Sequence, residues 1–174
     1  LFFLSHWTYN VDREATISLI KRIAGQENIR LIIKGHTRGR HVGGLSAKEE
    51  GLLGNYPSVE YAENNDHSPT LVALSDIVIV YGSSICFEAL LQGKPVCRPQ
   101  YLSSNTTIFD QSGMVFGANT ERQVISFIRS FKESISSPIN DSDLDNFLGI
   151  HTENTNHGGN VLESYVELLV SKSR

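Results

Sequence analysis

Gly82, Ser83 and Ser84 stand between two different sequence patterns, and Glu88 follows four residues after Ser84. Before the turn, residues 77–80 read Ile-Val-Ile-Val. An unbroken β-branched run this short reads as a strand buried on both faces of a parallel sheet. After it, Ile85, Phe87, Ala89, Leu90 and Leu91 set up a helical pattern that stops at Gly93, just before Pro95. That is a short helix with its stop signal, and Val96 opens the next strand. The chemistry this arrangement suits is anion binding. The first N–H groups of a helix have no acceptor inside it, and the helix dipole makes that end positive. Two hydroxyls beside those amides suit a phosphate or pyrophosphate.

Glu88 extends the reading. It is one position too late to complete a capping box with Ser84, but it lies on the same side of the helix, one turn in. A carboxylate there can accept hydrogen bonds from the hydroxyls of a ribose whose phosphates rest on the turn. The same residues also admit a plainer account, in which Ser84 caps the helix and Glu88 is a solvated helix-face acid.

A second concentration of polar chemistry follows the second strand. The stretch Lys34-Gly35-His36-Thr37-Arg38-Gly39-Arg40-His41 gathers basic groups in an otherwise acidic chain. Its glycines let the backbone approach a ligand closely. Lys34, His36, Arg38 and Arg40 are therefore phosphate candidates, with a solvated basic loop as the alternative. Ser5 and His6 open the loop after the first strand and complete the set.

The elements that must position these loops alternate. Residues 1–4 form a first strand, and a chain that opens on a buried strand is expected to be cut from something longer. Asn10 or Asp12 caps a helix with Ala15, Leu19, Ile20, Ile23 and Ala24 on one face, ended by Gly25. Residues 29–33 form the second strand and 46–53 a short helix. Val59 and Tyr61 lie on a third strand, 63–69 is a polar loop, and 70–74 a helical turn. After the central strand, helix and Val96 strand comes a Ser/Asn/Thr-rich loop at 99–110. Residues 114–116 read as a sixth strand. Thr120 caps a helix with Val124, Phe127, Ile128 and Phe131 on one face. A linker over 136–142, a short helix at 144–148, a polar stretch at 151–160 and an amphipathic helix at 161–170 complete the chain. Residues 1–135 thus read as a Rossmann-like nucleotide-binding domain, and 136–174 as a linker and helices packing on it.

Strand–helix alternation means an α/β fold with a doubly wound parallel sheet. Six strands in this rhythm fit the order 3-2-1-4-5-6, whose switch point lies between the first and fourth strands. The Ser5-His6 loop and the Gly82-Ser83-Ser84 turn flank that point, and the His36 loop is next along the same edge. Loops picked out by residue chemistry converge where such sheets bind ligands.

The whole chain bounds the rest. With 174 residues it is long enough for one domain with a substantial core. A net charge of -4 argues against general nucleic-acid binding. No apolar run reaches membrane-span length, and the opening LFFLSHW lacks a basic segment and is too short an apolar run for a signal peptide. Cys86 and Cys97 fall among apolar neighbours and read as buried free thiols in a reducing compartment. No metal-ligand spacing stands out.

The run SDIVIVYGSSICFEALLQGKPV resembles the C-terminal, donor-binding half of GT-B glycosyltransferases. The likeness is to bacterial capsule, teichoic-acid and polysialic-acid enzymes, and more distantly to sugar-nucleotide 2-epimerases. It rests on Ser83, Ser84, Glu88, Gly93, Lys94 and Pro95, with Lys34-Gly35-His36 matching a Lys-x-His-Pro motif whose proline is here Thr37. The resemblance implies one half of a GT-B fold. It implies that the serine turn and His36 bind the phosphates or nucleotide and that Glu88 binds the ribose. It also implies a nucleotide-sugar as substrate with no further cofactor, and a saccharide or lipid-linked acceptor presented by a second, N-terminal domain. Such enzymes act in the cytoplasm, peripherally at the inner face of the membrane. The catalytic residue stays unassigned, and the single domain is expected to be inactive alone. Two other functions fit the residues. An epimerase half would need acids and bases near the sugar, and these loops hold no clear carboxylate set. A non-catalytic nucleotide-binding domain would need no second half.

Overall fold

The structure, a computed structural model, describes residues 1–36, 44–63, 65–133 and 140–152. The chain divides into two compact units, Leu1–Ser137 and Pro138–Arg174.

In the first unit the elements run β1 (Phe2–Phe3), α1 (Arg13–Ala24), β2 (Leu31–Lys34), α2 (Ala47–Leu53), β3 (Val59–Ala62), α3 (Ser68–Ala73) and β4 (Val78–Ile79). They continue with α4 (Ile85–Leu91), β5 (Val96–Pro99), a 3-10 turn at Gln100–Leu102, β6 (Phe116–Ala118) and α5 (Glu121–Glu133). The six strands form one sheet in the order β3-β2-β1-β4-β5-β6, and every pairing is parallel. This is the doubly wound, Rossmann-like α/β fold expected, with β1 and β4 adjacent at its centre.

Local chemistry explains the boundaries. Asp12 is the cap of α1, its side chain accepting from the Ala15 amide at 2.9 Å, so it takes the role and Asn10 does not. Ser46 and Glu49 form a reciprocal capping box at α2. Gly93 follows α4 at φ +65°, its amide reaching the Leu90 carbonyl while Lys94 N reaches that of Ala89 at 2.9 Å. That double bond pattern closes a helix on a left-handed residue, which glycine adopts without strain.

The core follows the strand alternation. Phe2, Leu4, Ile33, Ile79 and Cys97 share one cluster with Leu19, Ile20 and Ile23 of α1 and Val124 and Ile128 of α5. Val78, Val80 and Val96 are as deeply buried, and alternation turns them to the other face. Burying each such side chain contributes about 1.5–3 kcal/mol.

Several boundaries differ from the sequence reading. The β4 ladder covers only Val78–Ile79, although the Val80 amide still pairs with the Cys97 carbonyl at 3.1 Å. β2 runs one residue further than expected and takes in Lys34. β6 begins at Phe116, where the strand was expected to end. α3 starts earlier because Pro69 sits in its first turn, where a missing N–H costs nothing. In the second unit α6 spans Asp141–Thr152, longer than the expected 144–148. Asn140 starts it, its side chain accepting from the Ser142 amide at 3.0 Å. The expected linker at 136–139, the polar stretch beyond residue 152 and the helix at 161–170 lie outside the described residues.

Candidate functional site

A cleft of about 480 Å³ opens at the carboxyl edge of the sheet, over the junction of β1 and β4. Parallel strands end there together, so the loops that follow them face one another. Ser5 comes from the end of β1, Lys34, Gly35 and His36 from the end of β2, and Gly82, Ser83 and Ser84 from the end of β4. Six of the candidates chosen by residue chemistry, Ser5, Lys34, His36, Gly82, Ser83 and Ser84, thus line one cleft.

The turn depends on a backbone that only glycine adopts freely. Gly82 has φ +115°, a conformation that side-chain-bearing residues avoid. A Cβ placed on it would meet Thr107 Cγ2 at 2.6 Å. Ser83 and Ser84 are exposed at the mouth of α4. Ser84 itself is helical, with φ -54° and ψ -19°, and its side chain makes no capping hydrogen bond. The capping role open to it in the sequence is therefore not the one it plays. An N-cap residue needs an extended backbone to turn its oxygen onto the following amides.

Lys34 differs from its expected setting. It is the last residue of β2, only 2% exposed, and its Nζ donates to the Glu63 carbonyl at 2.8 Å. An ammonium has three donors, so the bond fixes the charge at the cleft and leaves donors over. His36 faces two rings across the gap. Its ring centroid is 5.7 Å from that of His6 and 6.2 Å from that of Tyr9, both edge-on. His6 is stacked on Tyr9 at 4.8 Å, and Tyr9 lines the cleft. His6 reaches the site through these rings rather than as part of its wall. Arg38, with the rest of the basic loop from 37 to 43, lies outside the described residues.

Glu88 does not line the cleft. It is half-buried on α4, and its Oε1 accepts from Gln92 Nε2, which also donates to the Pro69 carbonyl at 3.2 Å. Its carboxylate therefore faces α3, whose first residue, Ser68, does line the cleft.

Sequence reasoning missed the layer beneath. Arg98 on β5 is 2% exposed. Its Nε donates to the Tyr81 carbonyl at 2.9 Å, one terminal nitrogen to the Asn105 carbonyl at 2.5 Å, and the other to the Asp110 carboxylate. Burial would raise the Asp110 pKa, but the Thr107 amide, the Gln100 amide group and the Arg98 charge together hold it below the ordinary value. Tyr81 is fixed again at its hydroxyl, 2.6 Å from Thr16 Oγ1, and burial pushes its phenol pKa well up. Cys86, at the start of α4, is pushed up to about 12 by burial. The available signal was a charge, Arg98, directly after a buried strand residue with an acid twelve positions on. A charge in a sheet interior needs a partner.

Among the described residues no group of three or more His, Cys, Asp or Glu side chains could hold a metal ion. Among the same residues no helix is long and apolar enough to cross a membrane.

No family profile and no curated protein matches the chain. Solved structures do. HepE of Anabaena in complex with UDP matches with a TM-score of 0.56 at 14% identity, over 98% of this chain and 48% of that one. The same protein in complex with UDP and glucose matches with a TM-score of 0.54 at 15% identity, over 98% of this chain and 47% of that one. The glycotransferase of kitacinnamycin matches with a TM-score of 0.50 at 17% identity, over 91% of this chain and 40% of that one. The chain spans about half the length of the structures it matches. The likeness is one of fold: a Rossmann-like sheet corresponding to one half of a larger, GT-B-like chain.

Proposed function

We propose that this chain is the nucleotide-sugar-binding half of a glycosyltransferase. The observation that carries the reading is the convergence of Ser5, Lys34, His36 and the Gly82-Ser83-Ser84 turn on one cleft at the switch point of the sheet. Likeness of fold to a structure that holds UDP supports it. In this reading the diphosphate lies against the Gly82-Ser83-Ser84 turn. The exposed Ser83 and Ser84 hydroxyls and the first amides of α4 donate to it, Lys34 supplies positive charge and His36 a ring nitrogen donor. Glu88 accepts from the ribose along the α3–α4 side. The chain binds and orients the donor and withdraws charge from the leaving diphosphate. The acceptor and the base that activates it come from a second domain, which fits the share of the matched structures that the chain spans.

The finer assignment rests on the Ser-Ser…Glu…Gly-Lys-Pro run. It points to surface or capsular polysaccharide synthesis in bacteria, with a saccharide or lipid-linked acceptor and action in the cytoplasm at the inner face of the membrane. Titration calorimetry with UDP, CDP, GDP and uridine tests the core of the proposal. Saturable binding of at least one nucleoside diphosphate, with uridine much weaker, is expected. A Ser83→Ala/Ser84→Ala variant should lose most of that affinity. Absence of binding by all three diphosphates would sink the reading.

A further inference from the structure

The cleft has a buried support whose geometry is more specific than packing requires. Arg98 is 2% exposed and reaches no solvent-facing ligand position. All three of its donor nitrogens are engaged, by three acceptors on two segments. Tyr81 O precedes the Gly82 turn, Asn105 O lies in the loop after β5, and Asp110 lies further along that loop. Asp110 passes the constraint on. Its Oδ2 accepts from the Thr107 amide at 2.5 Å, and Thr107 presents its methyl to the face of Gly82, where a Cβ would stand 2.6 Å from it. The turn is therefore held from behind at Tyr81 and from the side at Gly82, and both holds lead back to one guanidinium. Asn105 completes a strap across the switch point. Its side chain donates to the Tyr9 carbonyl at 2.8 Å and accepts from Asn10 at 2.9 Å.

We propose that Arg98, acting through Asp110 and Thr107, is a positioning residue that sets the shape of the Gly82-Ser83-Ser84 turn for a diphosphate; this rests on the anion-binding reading of the cleft. Only a planar fork reaches three divergent acceptors at once. A lysine would keep the charge beside Asp110 but could not tie both loop carbonyls as well.

Two variants separate positioning from stability. Arg98→Lys preserves the buried charge pair, and Thr107→Ser removes only the methyl against Gly82. Each is titrated with UDP and with inorganic pyrophosphate well below its own melting temperature. Arg98→Lys is expected to bind both ligands about tenfold more weakly, as a misplaced binding group would, and Thr107→Ser to lose a smaller factor for both. A residue that only stabilises the fold would lower the melting temperature and leave both affinities at the wild-type value, and that result overturns the proposal. If Arg98→Lys does not fold, Thr107→Ser decides alone, because Thr107 is half-exposed and its substitution leaves the ion pair in place. Wild-type protein that binds neither ligand would remove the cleft reading itself, an outcome distinct from a wild type that binds and variants that match it.

Discussion

The hydroxyl of Tyr81 lies 2.6 Å from Oγ1 of Thr16, joining the residue before the cleft turn to the first turn of α1. Thr16 gives its own proton to the Asp12 carbonyl at 2.7 Å, so the Tyr81 phenol is the donor. Tyr81→Phe removes that donor and keeps the ring that packs edge-on against Phe2. Its expected cost is about 0.5–1.5 kcal/mol, the net worth of one hydrogen bond, read as a lower urea midpoint with an unchanged slope. The same midpoint as wild type would contradict the assignment.

Gly82→Ala should cost more. The new Cβ meets Thr107 Cγ2 at 2.6 Å, and the backbone stays at φ +115°. Strain of this kind costs about 1–3 kcal/mol. Adding Thr107→Ser should restore only the steric part, since the unfavourable φ remains. Guanidinium unfolding of the single and double variants measures both parts.

Ser84→Ala should leave stability within about 0.5 kcal/mol of wild type, as for a surface residue without a cap bond. It should weaken pyrophosphate and UDP alike. Glu88→Gln should weaken only ligands that carry ribose hydroxyls, by about 1.5–3 kcal/mol for lost charged hydrogen bonds. A dideoxynucleotide should bind the wild type and Glu88→Gln equally. Equal losses for UDP, its dideoxy analogue and pyrophosphate would eliminate the ribose role.

His36→Ala should reduce UDP affinity by about 1–3 kcal/mol, the range for a charge-assisted hydrogen bond. Calorimetric affinity indistinguishable from wild type removes His36 from the phosphate site.

Burial sets the thiols' response to pH. Cys86 and Cys97 are buried and free, and burial pushes both up to about 12 from 9.0. The folded state thus holds its thiol protons at pH values where the unfolded chain has lost them. Their contribution is complete below pH 9 and declines as pH rises toward 12. Stability should fall by roughly 1 kcal/mol per pH unit for each thiol over that window. Replacing both by Ala should flatten this alkaline slope. Native-state labelling should be slow at neutral pH, and rapid labelling of either thiol contradicts the burial.

What the sequence by itself determined is whatever depends on local pattern. The β-branched run before Gly82 marked the central strand, because only a strand covered on both faces tolerates no polar position. Gly93 marked a helix end and Asn10 or Asp12 a helix start, because orphan amides and carbonyls must be met within a few residues, and the structure chose Asp12. Alternation of the elements gave the strand order, and with it the switch point that gathers Ser5, His36 and the serine turn. The tertiary structure decided what depends on partners far apart in the chain. Lys34 became a buried strand residue because the Glu63 carbonyl, distant in sequence, accepts its ammonium. Glu88 turned toward α3 because Gln92 and Pro69 meet it there. Arg98 became the support of the turn because Tyr81, Asn105 and Asp110 arrive around it only once β4 and β5 pair. No local pattern encodes such a network, since a buried charge is tolerable only when the completed fold brings its acceptors together.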